Sequence, residues 1–183
     1  LKAATPWQHV RLVGEDIVAT ELIISENHVI RPVDMAAMIA SGHKTVMVRK
    51  RPRIAVIPTG TELVEPGSDL KRGDIIDFNS TMLSAMATEC GAASARKKIV
   101  KDDAALLKRT ILEAAAENDL VVINAGSSAG REDFTAHVLA DIGKVHVHGV
   151  NIKPGKPVIL AIVQGKPVIG IPGYPVSAAL TFN

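Results

Sequence analysis

Cysteine is almost missing: Cys90 stands alone in 183 residues. This excludes an internal disulfide framework and a cysteine-based metal site, and suggests a reducing cytoplasm as the setting. Cys90 sits in an apolar helical stretch, MLSAMATECG, and reads as a buried small hydrophobe. Aromatic residues make up 3% of the chain, so a core must come from Val, Ile, Leu and Ala. That composition suits buried parallel strands covered by alanine-rich helices. Excess charge of one sign is lacking too. A formal net charge of +2, with acids and bases interspersed, gives no broad basic field for nucleic acid. The one dense basic run, RKRPR at 49–53, reads as a solvated junction between structural units. No apolar run approaches a membrane span, and the start of the chain lacks a signal-peptide layout. The chain starts at Leu1 and stops just after an apolar pattern has begun, so it reads as a fragment.

What is present is an alternation. From Pro52 onward, short β-branched runs (RIAVIPTG, SARKKIV, LVVINAG, KVHVHGVNI, PVILAIV, KPVIGIPG) are separated by stretches with apolar residues at helical spacing. That rhythm predicts an α/β domain. Helices are expected over NSTMLSAMATECG, over DDAALLKRTILEAAAEND, and from Asp133 to about Ile142, with Gly91 and Gly143 as stops. Val158 to Val163 and Lys166 to Ile171 read as a hairpin turning at Gln164-Gly165. Residues 1–50 differ, with short mixed runs and one short helix in VDMAAMIASG. They read as a separate small unit beside a domain at 51–183.

Ligands of open α/β sheets bind beyond the carboxyl ends of the strands. Each of the first three strand ends offers a carboxylate: Glu62 in PTGTE, Asp102 and Asp103 in KDD, and Asp133 after NAGSSAGRE. In the last of these, the small residues Gly126, Ser127, Ser128 and Gly130 before a helix leave backbone N–H groups open to an anion. The same letters also suit a tight strand-to-helix turn in which Asp133 stabilises the first helical turn. Either Asp102 or Asp103 can cap the helix that follows. Three carboxylates beside an anion would repel it unless a hard divalent cation such as Mg²⁺ lies between. His146 and His148 share a strand face, but no third metal ligand stands at suitable spacing. Lys153 and Lys156 lie in a proline-stiffened turn and suit anion contact. Pro172 and Pro175 stiffen a second turn, and Pro175 suits the first position of a helix.

GEDI at 14–17, PTGTEL at 58–63, IIDFNSTML at 75–83, GSSAGREDF at 126–134, and IKPGKP followed by IPGYPVSA together resemble the MoeA-type molybdopterin molybdotransferases, the family that includes the E domain of gephyrin. The resemblance implies a three-layer α/β/α domain with a mostly parallel mixed sheet, shared with MogA-type proteins, and a partial linker domain in residues 1–50. It implies binding of adenylylated molybdopterin and insertion of molybdate into the dithiolene with release of AMP, assisted by Mg²⁺ or Zn²⁺, in a homodimeric parent protein. Carried over to this chain, it implies catalytic roles for Glu62, Asp102, Asp133 and Asp16, the first three as metal ligands. Substrate contacts fall to Gly126, Ser127, Ser128, Gly130, Lys153, Lys156, Pro172 and Pro175. The chain departs from the family pattern at Thr61, through residues 125–130, and at Tyr174. A non-catalytic pterin-binding sensor or anchor is the alternative, and a MogA-type adenylyltransferase a more distant one.

Overall fold

The computed structural model describes residues 3–125 and 131–183, with the side chains of 131–133 excepted. The chain divides into two compact units, Leu1–Arg49 and Lys50–Asn183.

In the larger unit, the alternation of side chains along a strand explains the layering. In β1 (Arg53–Thr59), Ala55 and Ile57 join a core with Leu107 and Ile111 of α3 (Ala104–Glu117) and Leu139 of α4 (Arg131–Ile142). Ile54 and Val56, facing the other way, join Leu83 and Ala87 of α2 (Asn79–Glu89) and Ala178 of α5 (Pro175–Phe182). Both faces of the sheet are therefore covered, which is why β1 is apolar throughout rather than alternating. Each fully buried Leu or Ile contributes about 1.5–3 kcal/mol through burial.

The remaining strands are β2 (Leu63–Val64), β3 (Ile75–Ile76), β4 (Ala93–Arg96), β5 (Leu120–Ala125), β6 (Lys144–His148), β7 (Ile159–Val163) and β8 (Lys166–Ile171). The main sheet runs β4-β1-β5-β8-β7-β6. Pairs β1–β4, β1–β5 and β5–β8 are parallel, whereas β7 is antiparallel to both neighbours. The three-layer α/β/α architecture with a mostly parallel mixed sheet is thus the one expected. Because β7 alone opposes the others, the β6–β7 loop lies at the same edge as the carboxyl ends of β1, β5 and β8.

Several local expectations need correction. SARKKIV is not one strand: pairing stops at Arg96, and Val100 returns as a single bridge to Thr59. The pair β2–β3 forms a separate two-stranded sheet that no periodicity announces. Cys90 is exposed, not buried, because it caps α2 beyond that helix's last buried residue, Ala87. Gly143 does more than stop α4: a Cβ there would lie 2.2 Å from the Ile162 carbonyl oxygen, so only a hydrogen fits.

In the smaller unit, α1 (Pro32–Ala40) begins with Pro at its first position and a reciprocal cap between Arg31 and Asp34. Among the described residues of this unit, Asp34 and Met38 are the buried ones.

Candidate functional site

A cleft opens at the carboxyl edge of the sheet. Its walls are Glu62 and Leu63 after β1, Ile75 to Asn79 around β3 and the start of α2, Asn124 and Ala125 at the end of β5, and Gly173 after β8.

Asp103 settles the competition for the α3 cap, since its Oδ1 accepts from the Leu106 amide at 2.9 Å. Asp102 turns elsewhere, and its Oδ2 accepts from Thr61 Oγ1 at 2.8 Å. The Gly60 amide donates to the Val100 carbonyl at 3.0 Å, so the turns after β1 and after the Thr59–Val100 bridge are bound together. Gly60 adopts φ +154°, and a Cβ on it would meet Glu62 Oε2 at 3.0 Å. The Glu62 carboxylate therefore folds back over this turn, which Thr61 ties to Asp102.

Lys153 and Lys156 are exposed on the β6–β7 loop, at the same sheet edge. Gly155 between them is buried at φ +109°, and a Cβ there would lie 2.7 Å from Thr181 Oγ1 of α5. Glycine thus lets the loop lie directly on α5. Pro172 is buried and Pro175 exposed, with Pro175 at the first position of α5. Asp133 falls in the first turn of α4, but its side chain, like Gly126, Ser127, Ser128 and Gly130, lies outside the described residues. Asp16 belongs to the smaller unit, where it pairs with Arg11 at 3.5 Å.

Among the described residues, no group of three or more His, Cys, Asp or Glu side chains is placed to hold a metal ion. Glu62 and Asp102 are two oxygen donors and do not form a metal site by themselves. His146 and His148 lie exposed on edge strand β6, with His146 at an irregularity in its pairing with β7.

The sequence reading missed the floor of the cleft. Asp77, 2% exposed, accepts from Arg96 Nη2 at 2.7 Å and Nε at 2.9 Å, from the Ser80 amide at 3.2 Å and from Ser80 Oγ. Asn124 Nδ2 donates to the Pro172 carbonyl at 3.1 Å, and Asn79 Nδ2 to the Gly173 carbonyl at 2.6 Å. Two buried amides from β5 and α2 thereby hold consecutive carbonyls of the turn after β8. A polar letter inside the apolar run LVVINA was the available signal for Asn124.

Fold and site together define a ligand-binding α/β/α domain, and residues 55–183 match the family described as "Probable molybdopterin binding domain"; the chain belongs to that family. Within it, the chain is 34% identical over 186 residues to a molybdopterin molybdenumtransferase of Nostoc sp., covering 100% of this chain and 43% of that protein. It is 32% identical to molybdopterin molybdenumtransferase 2 of Mycobacterium tuberculosis, covering 98% of this chain and 46% of that one. The crystal structure of a molybdopterin biosynthesis MoeA protein from Pyrococcus horikosii superposes with a TM-score of 0.84 at 38% identity, covering 92% of this chain and 42% of that chain. The resemblance carried by the five motifs is borne out. The chain spans under half the length of these relatives.

Proposed function

We propose that the chain is the ligand-binding part of a molybdopterin molybdotransferase, holding adenylylated molybdopterin while molybdate enters the dithiolene and AMP leaves. The observation that carries this reading is the gathering of Glu62 and Asp102, joined through Thr61, at the sheet edge that also presents Lys153 and Lys156. Relatives named molybdopterin molybdenumtransferase, matched across both units of the chain, support it.

In this proposal the lysine ammonium groups bind the phosphates and the molybdate oxyanion. The buried Asn-held turn at Pro172 and Gly173 keeps the opposite wall fixed, so the anions meet a preorganised surface. Mg²⁺ or Zn²⁺ belongs to the proposal only with further oxygen donors, from Asp133 or the ligand's phosphates; when bound it would neutralise phosphate charge. Residues 1–50 would be a partial linker domain carrying Asp16, 51–183 the binding domain, and the full protein a cytoplasmic homodimer. A mere anchor for an anionic ligand gains nothing from added carboxylates, which favours the enzyme.

Molybdate-triggered AMP release by the full chain tests the reading. Asp102→Asn should lower the rate about a hundredfold or more while adenylylated molybdopterin still binds. Undiminished release would remove Asp102 from the reaction. Binding without release in the unaltered protein would leave only the anchoring module.

A further inference from the structure

Threonines in the helices of the larger unit behave in two ways. In α2 and α3, Thr88 and Thr110 turn their hydroxyls back on their own helix and donate to the Ser84 and Leu106 carbonyls, each at 2.9 Å. Thr181 of α5 does not, and its Oγ1 is buried with no hydrogen-bond partner among the described residues. A helical threonine can bond the carbonyl three or four residues back, so this hydroxyl is turned away from partners that its own helix offers. A buried hydroxyl left bare is costly, and the orientation needs a reason outside α5.

The reason lies in what the hydroxyl faces. Gly155, buried at φ +109°, fits between Thr181 and Ile152: a Cβ on it would lie 2.7 Å from Thr181 Oγ1 and 3.1 Å from Ile152 Cδ1. The base of this β6–β7 loop is closed by its own backbone. There the Gly149 amide donates to the Val158 carbonyl at 2.7 Å and the Val150 amide to the Lys156 carbonyl at 2.8 Å. The Gly155 amide, by contrast, has no backbone acceptor among the described residues. An unpaired hydroxyl and a peptide with a spare donor thus meet at one contact without bonding. On either side of that peptide stand the exposed Lys153 and Lys156.

We infer that Thr181 is a positioning residue for the lysine loop: when Lys153 and Lys156 hold an anion, the Gly155 peptide turns toward α5 and donates to the Thr181 hydroxyl, which fixes the loop in its loaded arrangement. The inference rests on the proposed function, which gives these lysines to the anions, and adds a residue that holds them in place without touching the ligand. Lysine side chains are flexible, and fixing the backbone beneath them limits the entropy lost on binding. Because the hydroxyl is unpaired before the loop is loaded, removing it acts in opposite directions on stability and on binding. A threonine with a merely structural role would move both the same way.

The test sets urea denaturation of the full chain without ligand beside calorimetric titration with adenylylated molybdopterin, for the unaltered chain, Thr181→Val and Thr181→Ser. Valine keeps nearly the same shape and loses the hydroxyl, so Thr181→Val should bind about fivefold more weakly without any fall in the urea midpoint. Serine keeps the hydroxyl, and Thr181→Ser should bind within about twofold of the unaltered chain. Unchanged affinity in Thr181→Val overturns the inference, as does Thr181→Ser binding as weakly as Thr181→Val. A Thr181→Val chain that is both less stable and weaker in binding makes the residue structural before loading, and overturns it too. In each of these outcomes the unaltered chain still binds and the proposed function stands. No binding by the unaltered chain removes the proposed function and the inference with it.

Discussion

Asp102 and Asp103 are adjacent identical letters with different work, and the sequence also carries GKPVI twice, at 155–159 and 165–169, with a lysine in a different setting in each copy. In the first pair, Asp103 takes the helix cap and Asp102 bonds Thr61. The Thr61 hydroxyl gives Asp102 a donor from the turn after β1, so the two turns are held together by their side chains. In the second pair, Lys156 lies on the β6–β7 loop at the carboxyl edge of the sheet, whereas Lys166 follows the Gln164-Gly165 turn at the opposite edge. Both turn residues have positive φ, 51° and 74°, as a tight two-residue hairpin requires. Lys166 Nζ reaches Asp119 Oδ1 at 3.3 Å with both side chains partly exposed, an arrangement that contributes little in water. Lys156→Ala should therefore slow AMP release about tenfold by removing a charged contact to the anion. Lys166→Ala should leave both turnover and the unfolding midpoint unchanged. Equal losses of turnover in the two variants would show that position on the sheet does not separate these lysines.

The elements that were hardest to read in the sequence are those that shape the cleft. Long β-branched runs and the 106–115 apolar stripe identified the central strands and α3, because burial on two faces or one stripe leaves a periodic record. The two-residue strands β2 and β3 leave none. Their backbone partners are set by Ile75 N–H to the Glu62 carbonyl and Asp77 N–H to the Val64 carbonyl, contacts that no local pattern encodes. Glu62 and Asp102 were legible as acids at strand ends; Asn79 and Asp77 looked like an ordinary helix start. What ties this segment to the sheet is Arg96 on edge strand β4, whose Nη2 meets both Glu65 Oε2 and Asp77 Oδ2 at 2.7 Å. Arg96→Met would strand the buried Asp77 carboxylate with Ser80. The cost should be about 3 kcal/mol, at the low end for a broken buried pair because Arg96 keeps some exposure. Urea denaturation measures it, and adding Asp77→Asn should recover part of the loss. A variant as stable as the parent would mean that the pair anchors nothing.

At the scale of the whole molecule, each unit holds a carboxylate whose acidity the fold changes. In the smaller unit the Arg31 side chain, its backbone N–H and the His28 ring hold Asp34 well below the usual carboxylate range. In the larger unit Asp119 is lowered by the Arg53 amide first and by Lys166 second. Since Arg53 opens β1, Asp119 precedes β5 and Lys166 opens β8, that one carboxylate joins the starts of the three central strands. A depressed folded pKa means that the unfolded chain binds the proton more readily. The stabilisation is therefore complete above the ordinary carboxylate range and is lost as pH falls through the lower folded value. Amide exchange followed by mass spectrometry between neutral pH and pH 3 can read each unit separately. Asp119→Asn should lower protection at the starts of β1 and β5, which the Arg53 amide bond joins, at neutral pH and flatten its decline on acidification. Asp34→Asn should do the same for residues 28–42. A decline in either segment as steep in its variant as in the parent would show that other groups govern acid unfolding there.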